Sequence, residues 1–187
     1  MSHRKLLAGA TVLTLAVGSA AITTAAGGAA SAPSKTTIKV SQKLLMKPNR
    51  YIQDGLRWDK DTYTVKSGGT LHVVNTAAGE GPHTFTVVAE KDLPKTAAQA
   101  FRCKICDTLG KAHGADPNSN APPKFPFLEN GTGQATPPNV DQAGDSGVTG
   151  SGKKGESIDL KVTAKKGKTL YFMCLIHPWM EAKVNVG

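Results

Sequence analysis

An all-β domain, an antiparallel sandwich or barrel interrupted by one long loop and short-helix insert, is the fold this sequence predicts. Three observations carry that expectation. Apolar residues alternate with polar ones in short runs, Gly and Pro turns punctuate the runs, and helical periodicity is missing outside the insert. Successive strand side chains point to opposite faces, so a period of two marks a surface buried on one side.

The chain opens with Arg4 and Lys5, an apolar run from Leu6 to Ala21, and small residues from Ala25 to Ala32. This is the order of a secretory signal, so residues 1–32 are expected to be a leader and 33–187 the exported domain, secreted or periplasmic within the cell envelope. The run is short and rich in Ala, Thr and Gly for a spanning helix. The whole chain has 23 Lys plus Arg against 14 Asp plus Glu, a net charge of +9. Without Arg4 and Lys5 the exported part carries +7, which bears on partners rather than on fold. Export also places the three cysteines in an oxidising compartment, and three are too few for a disulfide scaffold.

From Thr36 onward the alternating pairs are Ile38 and Val40, Tyr63 and Val65, Leu71 and Val73, then Phe85 and Val87. Ser67-Gly68-Gly69 turns the chain between two of these runs, and Thr76 to Pro82 forms a loop before the last. The pattern returns with Ile158, Leu160 and Val162, a turn at Lys165 to Lys168, and a final stretch from Thr169 to Val186. Residues 89–156 interrupt it. Their first part predicts a short helix over 96–109, because Ala97, Phe101, Ile105 and Leu109 recur every four residues. In residues 114–155, 14 of 42 are Gly or Pro, which predicts an extended loop. Cutting the insert away leaves 87 residues, enough for a small sandwich, so removal of 114–154 is expected to spare whatever site the strands carry.

The chemistry concentrates at the end of the chain. Cys174-Leu-Ile-His177-Pro-Trp-Met180 puts a thiolate, an imidazole and a thioether within seven residues, and Gly81-Pro82-His83-Thr84-Phe85 supplies a second imidazole. Cys, two His and a weak Met form the ligand set of a blue-copper site, since thiolate and thioether favour Cu(I) and a thioether is a poor zinc ligand. Strand parity supports convergence. His83 shares a face with Phe85 and Val87, and Cys174 shares one with Phe172 and Leu170, so both leave their strands on the core side. Taken singly, each of these residues reads as core filler or a loop residue; their joint spacing on an exported all-β chain is what points to copper.

With those residues in view, the chain resembles the cupredoxins, the small blue copper proteins, and the Cys-x-x-His-Pro-x-Met spacing is most similar to the amicyanin kind. The resemblance covers 36–88 and 157–187, including Val65-Lys-Ser-Gly-Gly-Thr-Leu71, Asn75 and Pro82-His83. It implies a Greek-key β-sandwich and one copper per chain. Carried over by position, His83, Cys174, His177 and Met180 are the implied ligands, with His177 nearest solvent. Two departures stand out: Thr84 where many members have Asn, and the long insert.

The resemblance implies an electron carrier, not an enzyme, cycling Cu(I) and Cu(II) with a redox partner protein. A copper protein for storage, delivery or resistance is the alternative. Pro178 and Trp179 are expected to form an apolar docking patch around His177. Lys153, Lys154, Lys161, Lys165, Lys166 and Lys168 read most simply as a solvated face and alternatively as one that steers the chain to an acidic partner or an anionic envelope surface, and no aromatic interleaving points to nucleic acid. Cys103-Lys-Ile-Cys106 reads either as a disulfide or as a redox-active or metal-binding pair with His113.

Overall fold

The computed structural model describes residues 31–187 except 78–80, 117 and 120–121. The leader expected at 1–32 therefore lies, but for its last two residues, outside the described residues. In chain order the alternating runs become β1 (Lys35–Ser41), β4 (Arg57–Trp58), β5 (Thr62–Val65), β6 (Thr70–Val74), β7 (Thr84–Val88), β12 (Ser157–Val162), β13 (Thr169–Met173) and β14 (Glu181–Val186). A separate hairpin, β2 (Leu44–Lys47) and β3 (Tyr51–Asp54), stands between β1 and β4.

The insert differs from its expectation. Its helix is two, α1 (Ala97–Phe101) and α2 (Lys104–Ala112), broken at Arg102 and Cys103. The loop expected over 114–155 contains β8 (Phe127–Glu129), β9 (Thr132–Gln134), β10 (Asn139–Val140) and β11 (Ser146–Val148). These strands are too short to show alternation, and Gly147 sits at the centre of β11, so their pairing comes from partners far away in sequence.

Two sheets form the sandwich. One has the order β10-β12-β6-β1-β4, the other β5-β14-β13-β7-β11-β8-β9. The insert thus supplies an edge to each. Most neighbours are antiparallel, whereas β1 with β6, β5 with β14 and β10 with β12 run parallel. The two-sheet all-β sandwich that the resemblance implies is the fold observed.

Between the sheets lies one core. Ile38, Val40, Trp58, Leu71, Val73, Phe85, Leu160, Phe172 and Val184 are buried there, and the Phe85 and Phe172 rings stack with centroids 4.1 Å apart. Each such side chain contributes roughly 1.5–3 kcal/mol by leaving water. A second core covers the outer face of the larger sheet, where Leu93, Cys106 and Leu109 of the insert pack on Val88, Leu128, Met173 and Leu175. Every residue of β7 is therefore buried, on both faces. The two ends of the domain meet beside the turn after β5: Lys66 N–H donates to Pro33 O, Gly187 N–H to Val65 O and Ser67 N–H to Gly187 O.

Candidate metal centre

Three donors converge at one end of the sandwich. The ligating atoms of His83, Cys174 and His177 all lie within 4.8 Å of one another. His83 precedes β7, Cys174 follows β13, and the two strands are antiparallel neighbours, so their apposed ends bring the residues together. Cys174 Sγ is 3.7 Å from His177 Nδ1, and the His83 and His177 ring centroids are 5.0 Å apart.

The terminal loop is closed by its own backbone. Met180 N–H donates to His177 O at 2.8 Å and Cys174 N–H to Met180 O at 3.0 Å. The Trp58 indole N–H also donates to Met180 O, at 3.1 Å, which ties the loop to the opposite sheet. Met180 is fully buried in the main core. Trp58 is a site residue that sequence reading missed, because nothing near it in the chain refers to residues 122 positions away.

His83 carries the decisive chemistry. It is completely buried, yet neither Nδ1 nor Nε2 has a hydrogen-bond partner. A buried polar nitrogen without a partner costs about 1–3 kcal/mol, so a folded protein rarely keeps two on one ring unless another group meets them. Burial, with the nearby His177 adding to it, pushes the His83 imidazole down to about 4. The ring is thus a neutral donor at ordinary pH, as a metal ligand must be. Burial likewise pushes the Cys174 thiol up, opposed by the Thr84 and His177 backbone N–H groups, among others, and by the Thr84 hydroxyl. Cys174 is the one free cysteine among the described residues. A soft sulfur beside two imidazoles, with the sulfur and the His83 ring shut away from water, fits a copper ion.

Thr84 takes up the position where the resemblance leads one to expect Asn, and it touches the site twice. Its backbone N–H points at Cys174 Sγ, 3.4 Å away, and its hydroxyl accepts from Leu175 N–H at 2.7 Å. The insert also holds the site. Thr149, just past β11, donates its N–H to His83 O at 2.8 Å and accepts His83 N–H at its hydroxyl, 3.1 Å away. Gly81 and Gly152 have positive φ and pass so closely that a Cβ on Gly152 would collide with the Gly81 backbone. Removal of 114–154 therefore takes away the clamp on His83, contrary to the expectation from sequence.

Neither a family model nor a curated protein matches the chain. Among solved structures, a reduced auracyanin from the photosynthetic bacterium Roseiflexus castenholzii is 17% identical with a TM-score of 0.45, over 84% of this chain and 99% of that one. Auracyanin A, a blue copper protein from Chloroflexus aurantiacus, is 17% identical with a TM-score of 0.41, over 82% and 99%. A purple cupredoxin from Nitrosopumilus maritimus is 9% identical with a TM-score of 0.38, over 81% and 98%. At such identities and scores the likeness carries no argument, and the donor chemistry stands by itself.

The remaining expected residues fall as follows. Pro178 is buried, so it takes no part in a docking surface; the exposed apolar side chains around His177 are Trp179, whose ring meets the imidazole edge at 5.5 Å, and Ile176, which sequence reading passed over. Cys103 and Cys106 form a disulfide at the start of α2, with Cys103 Sγ accepting Cys106 N–H. His113 is buried some way along the insert and bonds Phe125 O and Ser146 Oγ, so it is no partner of that pair. A further histidine, His72, for which no role was set out above, lies outside the site, facing Asp159 across β6 and β12 at 2.7 Å. Among the described residues no helix is long and apolar enough to cross a membrane.

Proposed function

We propose that the chain is a mononuclear type 1 copper protein of the cupredoxin kind, an electron carrier with one copper per chain held by His83, Cys174, His177 and Met180. The observation that carries this reading is the fully buried His83 ring with both nitrogens unpartnered, within ligand distance of a buried free cysteine and a second imidazole. Bound there, copper supplies one-electron chemistry between Cu(I) and Cu(II). The chain's own residues exclude water, fix the donors through Thr84, Thr149 and Trp58, and bring the half-exposed His177 edge to the surface between Ile176 and Trp179. That apolar rim, with a charge of +7 on the chain without its leader, suits brief docking on an acidic redox partner. The signal-like leader supports export to the envelope or beyond.

Titration of the metal-free protein with Cu(II) tests the reading directly. One equivalent should bind and give an intense visible thiolate-to-copper band, and Cys174→Ala should abolish the band, because no other free thiol lies among the described residues. Retention of the band in that variant, or no band in the parent, rejects the site. The storage or delivery alternative predicts rapid copper loss to a competing chelator and slow electron self-exchange. The closed loop, with His83 and Cys174 buried at strand ends, predicts the reverse.

A further inference from the structure

The Cys103–Cys106 bond takes no part in the metal centre, and its two sulfurs are set differently in the insert. Both belong to the start of α2, a helix of nine residues, with Cys103 as its N-cap. Cys106 is 8% exposed and lies in the second core with Leu109 and Met173. Cys103 is half-buried: it packs on that core and also lines a 380 Å³ groove at the surface. Cys106 does not reach the groove. Lys91, Arg102 and Lys104 line it against a single acid, Asp92, and Leu93 and Pro94 add apolar wall.

We propose that this disulfide is a thiol–disulfide exchange site, attacked at Cys103 by a dithiol on an acidic protein segment seated in the groove. The site is separate from the copper reading and stands without it. Access decides which sulfur is attacked, because a thiolate bonds the disulfide sulfur it can reach and expels the other. From the groove that sulfur is Cys103. Net positive lining selects an acidic segment, and the apolar wall gives it more to hold than a lone thiol would use. A dithiol is favoured over a monothiol because its second sulfur is already at hand for the second step.

The exchange has two steps. A partner thiol loses its proton and bonds Cys103 Sγ; the Cys103–Cys106 bond breaks with its electron pair on Cys106 Sγ, which takes up a proton. The partner's second thiol then loses its proton and bonds the first partner sulfur. The bond from that sulfur to Cys103 breaks, and its electron pair returns to Cys103 Sγ with the second proton. The partner dithiol is oxidised to a disulfide, this chain's disulfide is reduced to two thiols, and two electrons and two protons have moved.

Cys103 is also the better leaving group for the second step. Its Sγ accepts Cys106 N–H at 3.2 Å, and it sits at the positive end of α2, where a thiolate is stabilised. The exposed side chains of Arg102 and Lys104 flank it in the chain and share its groove, with Lys91 across from them. Asp92 in the groove and Asp107 in the first turn of α2 are the acids that oppose them. A thiol held at low pKa departs faster, so the mixed disulfide resolves toward reduced Cys103.

The test uses the metal-free protein, so its outcome and that of the copper titration are read separately. The folded parent is treated with dithiothreitol, thiols are alkylated, and mass spectrometry locates them. Cys103 and Cys106 should be labelled together, about tenfold faster than oxidised glutathione is reduced, with the circular dichroism unchanged. A bond that opens only after unfolding in urea overturns the proposal. In Cys106→Ser, the remaining Cys103 should form a mixed disulfide with oxidised glutathione and alkylate with a midpoint about one pH unit or more below the usual thiol value of about 8.5. In Cys103→Ser, Cys106 should react about tenfold more slowly or not at all. Equal reactivity of the two sulfurs, or an ordinary midpoint for Cys103, overturns the assignment of the attacked sulfur. Two synthetic dithiol peptides, one flanked by Asp and one by Lys, then replace dithiothreitol. The Asp peptide should reduce the bond several-fold faster at low salt, and Arg102→Glu with Lys104→Glu should reverse that order. Equal rates for the two peptides overturn the acidic segment as partner.

Discussion

His83 enters the folded state at a cost that depends on pH. Its folded pKa of about 4 lies below the unfolded value of about 6.5. The unfolded chain therefore binds more protons between those values, and stability rises with pH across that window. The metal-free protein should be at full stability above about pH 6.5 and lose on the order of 3 kcal/mol as the pH falls toward 4. Urea unfolding of the metal-free protein at both ends of the window measures this, and His83→Phe should flatten the dependence. A dependence just as steep in His83→Phe would assign it to other groups. At Trp58, the indole hydrogen bond to Met180 O belongs with close packing against Phe85, whose ring lies 5.0 Å away edge-on. Trp58→Phe should cost about 2 kcal/mol and loosen the terminal loop, seen as faster amide exchange at Met180 and Cys174.

Among the elements, β11 does more than its three residues suggest. It pairs with β7, continues into Thr149 against the His83 backbone, and buries Ser146 between Thr86 and His113. Deletion of 114–154 should therefore destroy the metal centre as well as the second core. Circular dichroism and Cu(II) titration of the deleted chain check this: a folded chain that still binds one copper would show that the site does without residues 114–154. What sequence could and could not show divides along the same line. Cys174 and His177 are legible because their types are rare and their spacing is local, His83 because strand parity puts it on the core face with Phe85 and Val87, and the strands β5, β6, β7, β12 and β13 because they alternate. Thr149, Trp58 and His113 act through partners 66, 122 and 33 residues away, and no local pattern records such a partner. The strands of the insert were hidden by the Gly and Pro content that makes their turns.

For the molecule as a whole, burial of β7 on both faces means that the metal centre is gripped from two cores. A site so held should change little in shape between oxidation states, which favours fast self-exchange over metal release. Electron transfer to an acidic partner should slow as salt rises, because the attraction is long-range and screened. Stopped-flow rates at two ionic strengths test this, and a salt-independent rate would leave docking to the apolar rim of Ile176 and Trp179.

Pro33 and Gly187 flank the turn after Val65, at the end of the sandwich where β13 begins with Thr169 beside Asn185. Cys174 lies one strand length further on, roughly 17 Å away at the rise of a β-strand. A thiol-free linker engineered onto Gly187, or onto a chain cut at Pro33, would fix the protein to an electrode by its foot. The His177 edge would then face the solution, so an immobilised film should exchange electrons with dissolved partners while remaining slow toward the electrode beneath it.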